Sequence, residues 1–105
     1  MQEIGPFVNQ YSWNQNANLL FFESPPGVGF SENNDTTYQY TDNNTAVDNY
    51  AALQKWFSQY NQYNGRELWI AGESYAGIYV PFLANQTLYQ NSLNTTSNKI
   101  NLKGI

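Results

Sequence analysis

The chain has 105 residues and a net charge of −4, with only 11% of its residues charged. That balance offers no basic surface for nucleic acid. Histidine and cysteine are absent, so no metal site is expected, the chain says nothing of redox compartment, and no apolar run is long enough to span a membrane. The polarity comes from amides instead: Asn and Gln supply 25 residues, concentrated in Asn9 to Asn18, Asn33 to Asn44 and Asn85 to Asn101. In chain order, the first element is a continuous apolar run, Leu19 to Phe22, which reads as a strand buried on both faces. Pro25-Pro26-Gly27 and Gly29 read as a strand-end turn. A phosphate-binding loop would need a third glycine where Glu32 stands. Glu32 to Asn44 is polar and aperiodic, and is expected to be a flexible loop. From about Thr45 to Tyr60, a stripe of Val47, Tyr50, Ala51, Leu53, Trp56, Phe57 and Tyr60 at helical spacing predicts an amphipathic helix. Thr45 and Asp48 form a capping-box-like start to it. Leu68 to Ala71 is a second apolar strand, and a second helix is expected from about Tyr75 to Gln90, kinked or restarted near Pro81. The class is α/β: a slice of a doubly wound sheet over residues 1–105, without internal boundary or repeat. Its edges stay open, so independent folding is not expected.

Gly72-Glu73-Ser74-Tyr75-Ala76-Gly77 sits between that second strand and second helix. Strand, sharp turn around a serine, then helix is the setting of a nucleophile elbow. So sharp a turn leaves no room beside the serine, which accounts for Gly72 and Ala76 two residues away on either side. The usual pattern has glycine where Ala76 stands. The turn would bring the Ser74 hydroxyl to a helix N-terminus, where backbone N–H groups can stabilise an oxyanion. The N–H of Tyr75, the residue after the serine, is the expected donor.

Gly72 to Pro81 resembles the nucleophile segment of the serine carboxypeptidases, the group that includes cathepsin A and the plant and yeast vacuolar enzymes. Four further stretches match in the family's order. Glu3-Ile4-Gly5-Pro6-Phe7 resembles the segment after its glycine-rich oxyanion loop. Tyr11-Ser12-Trp13-Asn14, Ala17 to Pro25 and Gly27 to Ser31 resemble its next strand and turn. Thr45-Ala46 with Asp48, Tyr50 and Trp56-Phe57 resembles the helix before the nucleophile strand, and Asn101 to Ile105 the start of the strand after it. The resemblance implies an α/β-hydrolase catalytic domain of which these residues are an internal fragment. It implies an enzyme of lysosome, vacuole or secretory pathway that removes C-terminal residues from peptides through an acyl-enzyme on Ser74, with no cofactor.

By the same resemblance, Glu3 and Glu73 form the pair that recognises the substrate's C-terminal carboxylate. Two buried carboxylates in contact cannot both ionise easily, so a proton is shared and can be donated to the substrate. The Tyr75 ring would line the pocket for the residue preceding the scissile bond. In this fold the triad runs Ser, Asp, His along the chain, yet no Asp or Glu follows Ser74 and there is no histidine. Loss of the base alone costs roughly a millionfold in one measured protease, so the 105 residues alone are expected to be inert. A serine-carboxypeptidase-like acyltransferase is the alternative. That branch often resembles Gly-Asp-Ser-Tyr-Ser-Gly, so Glu73 and Ala76 favour the peptidase. A truncated, non-catalytic product is the third reading. Peptide or protein C-termini and the rest of the catalytic domain are the expected partners, and homodimer formation stays open. Four sequons, at Asn34, Asn43, Asn85 and Asn94, favour a secretory route. Asn43 and Asn94 fall in predicted loops and are the preferred sites.

Overall fold

Thr41 starts the longest element: its hydroxyl accepts the Asn44 N–H at 3.1 Å, and helix α1, Asp42–Gln59, follows. The computed structural model describes residues 5–93 and 99–105. The cap therefore lies four residues ahead of the expected Thr45–Asp48 pair. Thr45 is buried instead, and Asp48 accepts a hydrogen bond from the Tyr38 hydroxyl. A threonine cap of this kind contributes about 1 kcal/mol.

The inward face of α1 carries Thr45, Ala46, Tyr50, Leu53 and Phe57. Val47, Ala51 and Tyr60 from the expected stripe are exposed, because the buried face is turned toward Thr45 and Ala46. Residues 61–63 form a short 3-10 turn, and β1, Glu67–Trp69, follows. Helix α2, Ala76–Ser92, packs on α1 through Leu83, Ala84 and Thr87. The Thr87 hydroxyl is fully buried and donates to the Leu83 carbonyl at 2.8 Å, so its burial leaves no polar group unpaired. Pro81 lies inside α2 as one helix, without the expected restart. The missing N–H leaves the Gly77 carbonyl, four residues back, without its helical partner.

The chain then returns as β2, Asn101–Gly104, parallel to β1, with Glu67 opposite Asn101 and Leu68 opposite Leu102. The register slips by one residue before Trp69, which meets Gly104. A Cβ on Gly104 would stand 2.5 Å from the Trp69 ring, so a larger residue there would have to push the ring aside. Asn91 fixes the re-entry into the sheet. Its side chain donates to the Ile100 carbonyl at 2.8 Å and accepts the Ile100 N–H at 3.1 Å, imitating a strand neighbour. Parallel strands joined through a helix make the chain an α/β arrangement.

Tyr50, Leu53, Phe57, Leu83 and Ile100 form the core, with Trp56, Tyr63, Leu68 and Ile70 at its rim. Leu53→Ala should lower stability by about 2–5 kcal/mol, read from thermal or urea unfolding, because five side chains leave little slack to refill the cavity. Two expectations are corrected. Leu19–Phe22 is irregular and pairs with neither strand of the sheet; Phe21 is 77% exposed. An extended run becomes a strand only with a ladder partner, and this run lies along neither outer edge of the β1–β2 pair. Trp69 is likewise exposed, so the described sheet is not covered on both faces. The segment expected as a flexible loop, Glu32 to Asn44, is held at several points. Asp35 accepts from the Thr37 backbone and hydroxyl, the Tyr38 hydroxyl donates to Asp48, and the Tyr40 hydroxyl donates to the Pro26 carbonyl at 3.0 Å. The last three residues of this segment already belong to α1. With a radius of gyration of 16.3 Å, against about 13 Å for a compact domain this size, the arrangement is extended.

Candidate active site

The ladder between the strands reaches one residue past β1, where the Ile70 N–H donates to the Gly104 carbonyl at 3.1 Å. Four residues later the backbone turns sharply. Ser74 has φ +59°, the one non-glycine residue with positive φ among the described residues. This left-handed conformation costs a serine roughly 1–2 kcal/mol, and such strain is concentrated where a side chain must be presented in a fixed direction. Immediately after it, Ala76 N–H donates to Glu73 at 3.2 Å, Gly77 to Ser74 at 2.9 Å and Ile78 to Tyr75 at 2.9 Å. These three-residue steps wind α2 tightly from the serine onward. A Cβ on Gly72 would run into the Ala76 Cβ and stand 3.0 Å from Val80 Cγ2, so the glycine lets strand and helix approach closely. Gly77 has open space around its Cβ position.

Ser74 is exposed at the N-terminal end of α2, where free N–H groups and the helix dipole favour negative charge. Among the described residues the backbone bonds of the turn begin with Ala76 as donor and leave the Tyr75 N–H out, so it can serve an oxyanion. The Tyr75 side chain is held from two directions. Its hydroxyl donates to Asp42 Oδ1 at 3.2 Å, and its ring meets the Tyr79 ring edge-on with centroids 4.9 Å apart. The hydrogen bond and charge of the Asp42 carboxylate push the Tyr75 phenol above its ordinary pKa.

Glu73 is exposed beside Ser74. Glu3, its expected partner, lies outside the described residues. Asp48 is engaged elsewhere. Burial and then the Asp48 carboxylate push the Tyr38 phenol up to about 12. Of the sequon asparagines, Asn34 is exposed in the strap before α1, and Asn94 lies outside the described residues. Asn43 is in the first turn of α1 rather than in a loop, because Thr41 starts the helix early. Asn85 is exposed on α2. The threonines of these last two sequons, Thr45 and Thr87, are buried between the helices.

The Pro25-to-Gly29 stretch is a turn, as its composition implies. Gly27 and Gly29 have φ of +88° and +57°, and the Phe30 N–H donates to Glu23 Oε2 at 2.6 Å across the turn. A Cβ on Gly29 would stand 2.6 Å from the Glu23 carboxylate. Sequence reasoning missed Asp42 as a residue that shapes the site. Asp42 is 33 residues from Tyr75, and no local pattern pairs them.

A family model described as serine carboxypeptidase matches residues 1–105. The chain belongs to the serine carboxypeptidase family. It is 47% identical over 117 residues to serine carboxypeptidase-like 40 of Arabidopsis thaliana, covering 100% of this chain and 22% of that protein. Serine carboxypeptidase-like 26 of the same plant is 54% identical over 101 residues, covering 85% of this chain and 22% of that protein. Serine carboxypeptidase ctsa-4.1 of Caenorhabditis elegans is 40% identical over 115 residues, with 100% of this chain and 23% of that protein covered. The chain thus spans about a quarter of the length of the curated relatives it matches.

Proposed function

We propose that this chain is the nucleophile-bearing part of a serine-type carboxypeptidase built on an α/β-hydrolase domain, and that Ser74 forms its acyl-enzyme. The observation that carries the reading is Ser74 at φ +59° between β1 and α2, in a chain of this family. Attack of Ser74 Oγ on the scissile carbonyl forms a tetrahedral oxyanion facing the Tyr75 N–H. Collapse expels the C-terminal amino acid, and water then releases the acyl group. The base for these proton transfers comes from outside these 105 residues, which hold no histidine. The 105 residues by themselves are therefore inert.

Glu73, with Glu3, takes the substrate's C-terminal carboxylate. Carboxylates gathered around the substrate's own carboxylate repel it unless a proton lies between them, so recognition of this kind favours acid. Such an acid-favoured exopeptidase suits lysosome, vacuole or secretion, as do the sequons. Glu73→Gln in the complete gene product keeps a donor at every pH, so the peptidase optimum should move upward. An unchanged pH profile of kcat/KM would remove Glu73 from carboxylate recognition.

The test of the reading is a fluorophosphonate probe applied to the complete gene product at mildly acidic pH, with the labelled peptide mapped. Label on Ser74, together with release of the last residue from a blocked dipeptide, supports it. Label on Ser74 with acyl transfer to an alcohol but no peptide hydrolysis would place the protein with the acyltransferases. Absence of label would end the hydrolase reading.

A further inference from the structure

We infer that Asp42 is a positioning residue for the Ser74 elbow: its carboxylate holds the Tyr75 phenol and so fixes the ring beside the nucleophile. The inference rests on the hydrolase reading above and extends it to a residue 32 positions away on another element. Tyr75 is 53% exposed, and as the residue at the head of α2 it has no helical turn before it to restrict its rotamer. Two contacts restrict it instead. Tyr79, one turn further along α2, meets the ring edge-on, which limits its tilt. Asp42 takes the hydroxyl at the ring's far end, which limits its swing.

A tether is useful only if its anchor is fixed. Asp42 is the first residue of α1, directly after the Thr41 cap, and α1 is packed into the core through Tyr50, Leu53 and Phe57. The hydrogen bond therefore ties the serine's neighbour to the most firmly packed helix, by a route independent of β1 and α2. A phenol donating to a carboxylate is a charge-assisted bond, stronger than a neutral one. The consequence for catalysis falls on the residue preceding the scissile bond, which the Tyr75 ring would flank. A large side chain there needs the ring in place, whereas glycine makes no such contact.

Asp42 also sits where a carboxylate favours the α1 helix dipole, and that role must be told apart. The test uses Asp42→Ala, Asp42→Asn, Tyr75→Phe and the Asp42→Ala/Tyr75→Phe double variant in the complete gene product. Fluorophosphonate labelling of Ser74 is followed alongside kcat/KM on blocked dipeptides with Phe or Gly before the scissile bond. Asp42→Ala and Tyr75→Phe should each lose about tenfold on the Phe substrate and almost nothing on the Gly substrate, since misplacement of a positioning group affects the substrate that touches it. The double variant should lose no more than either single one, because both remove the same bond. Asp42→Asn keeps an acceptor oxygen and should recover most of the Phe activity, although it loses the charge that serves the dipole. Equal losses on both substrates, additive losses in the double variant, or an Asp42→Ala enzyme that behaves like wild type would overturn the inference while Ser74 still labels. A wild-type protein whose Ser74 takes no label would overturn the hydrolase reading and this inference with it.

Discussion

Ser74→Ala in the complete gene product should lower kcat by about a millionfold, with KM nearly unchanged and fluorophosphonate labelling abolished. The size follows from what is removed. Without Oγ no acyl-enzyme forms, and the oxyanion donor and binding contacts are left to act on water alone. The variant should still fold, because alanine occupies the same left-handed backbone at φ +59° with the same Cβ strain. Ser74→Gly separates the two effects. It is equally inactive, but the positive φ costs glycine nothing, so it should be more stable than Ser74→Ala by about 1 kcal/mol in thermal unfolding. The strain at this serine is then measured directly as the stability given up for presenting its hydroxyl. An alanine variant that kept a large share of wild-type turnover would take Ser74 out of the chemistry.

The parts legible in the sequence were those that local geometry dictates. Gly72, Ser74 and Ala76 are spaced by the turn itself, so the elbow could be read before any contact was known. The α1 and α2 spans were legible to within a few residues, α1 from its apolar periodicity, whereas the strand at Asn101 was implied only by the family resemblance. Most of what failed depends on residues distant in the chain, the helix cap being a local exception. Thr41 rather than Thr45 caps α1, since several threonines and asparagines in that polar stretch could serve equally well by type. Leu19–Phe22 has the composition of a buried strand, but composition cannot supply the neighbour that completes a ladder. Asp42 reads as an ordinary first-turn acid until the fold brings Tyr75 onto it. Asn91 likewise looks like one amide among many, and its pairing with Ile100 appears only once α2 has turned back toward the sheet.

Gly72→Val should reduce labelling of Ser74 by about a hundredfold or more, since a shift of roughly 1 Å in a catalytic group is enough for that loss. The first atom of the new side chain already collides with the Ala76 Cβ and crowds Val80 Cγ2 at 3.0 Å, before the valine methyls are placed. Neither neighbour can step aside as a flexible side chain would. The Ala76 Cβ is carried rigidly by the first residue of α2, so relief means moving the helix start and with it the Tyr75 N–H. Stability should fall as well, by about 1–3 kcal/mol for overpacking of this kind, and the loss of labelling should exceed what the unfolded fraction explains. Gly72→Ala tests the cause more finely. It should show the same defect in milder form, and adding Ala76→Gly should restore labelling by removing the atom that the new Cβ strikes. Gly77→Ala is the matched control, because open space surrounds that position. If Gly77→Ala were as damaging as Gly72→Ala, or if Ala76→Gly brought no recovery, close approach of strand and helix would not be the reason for the glycine before the serine.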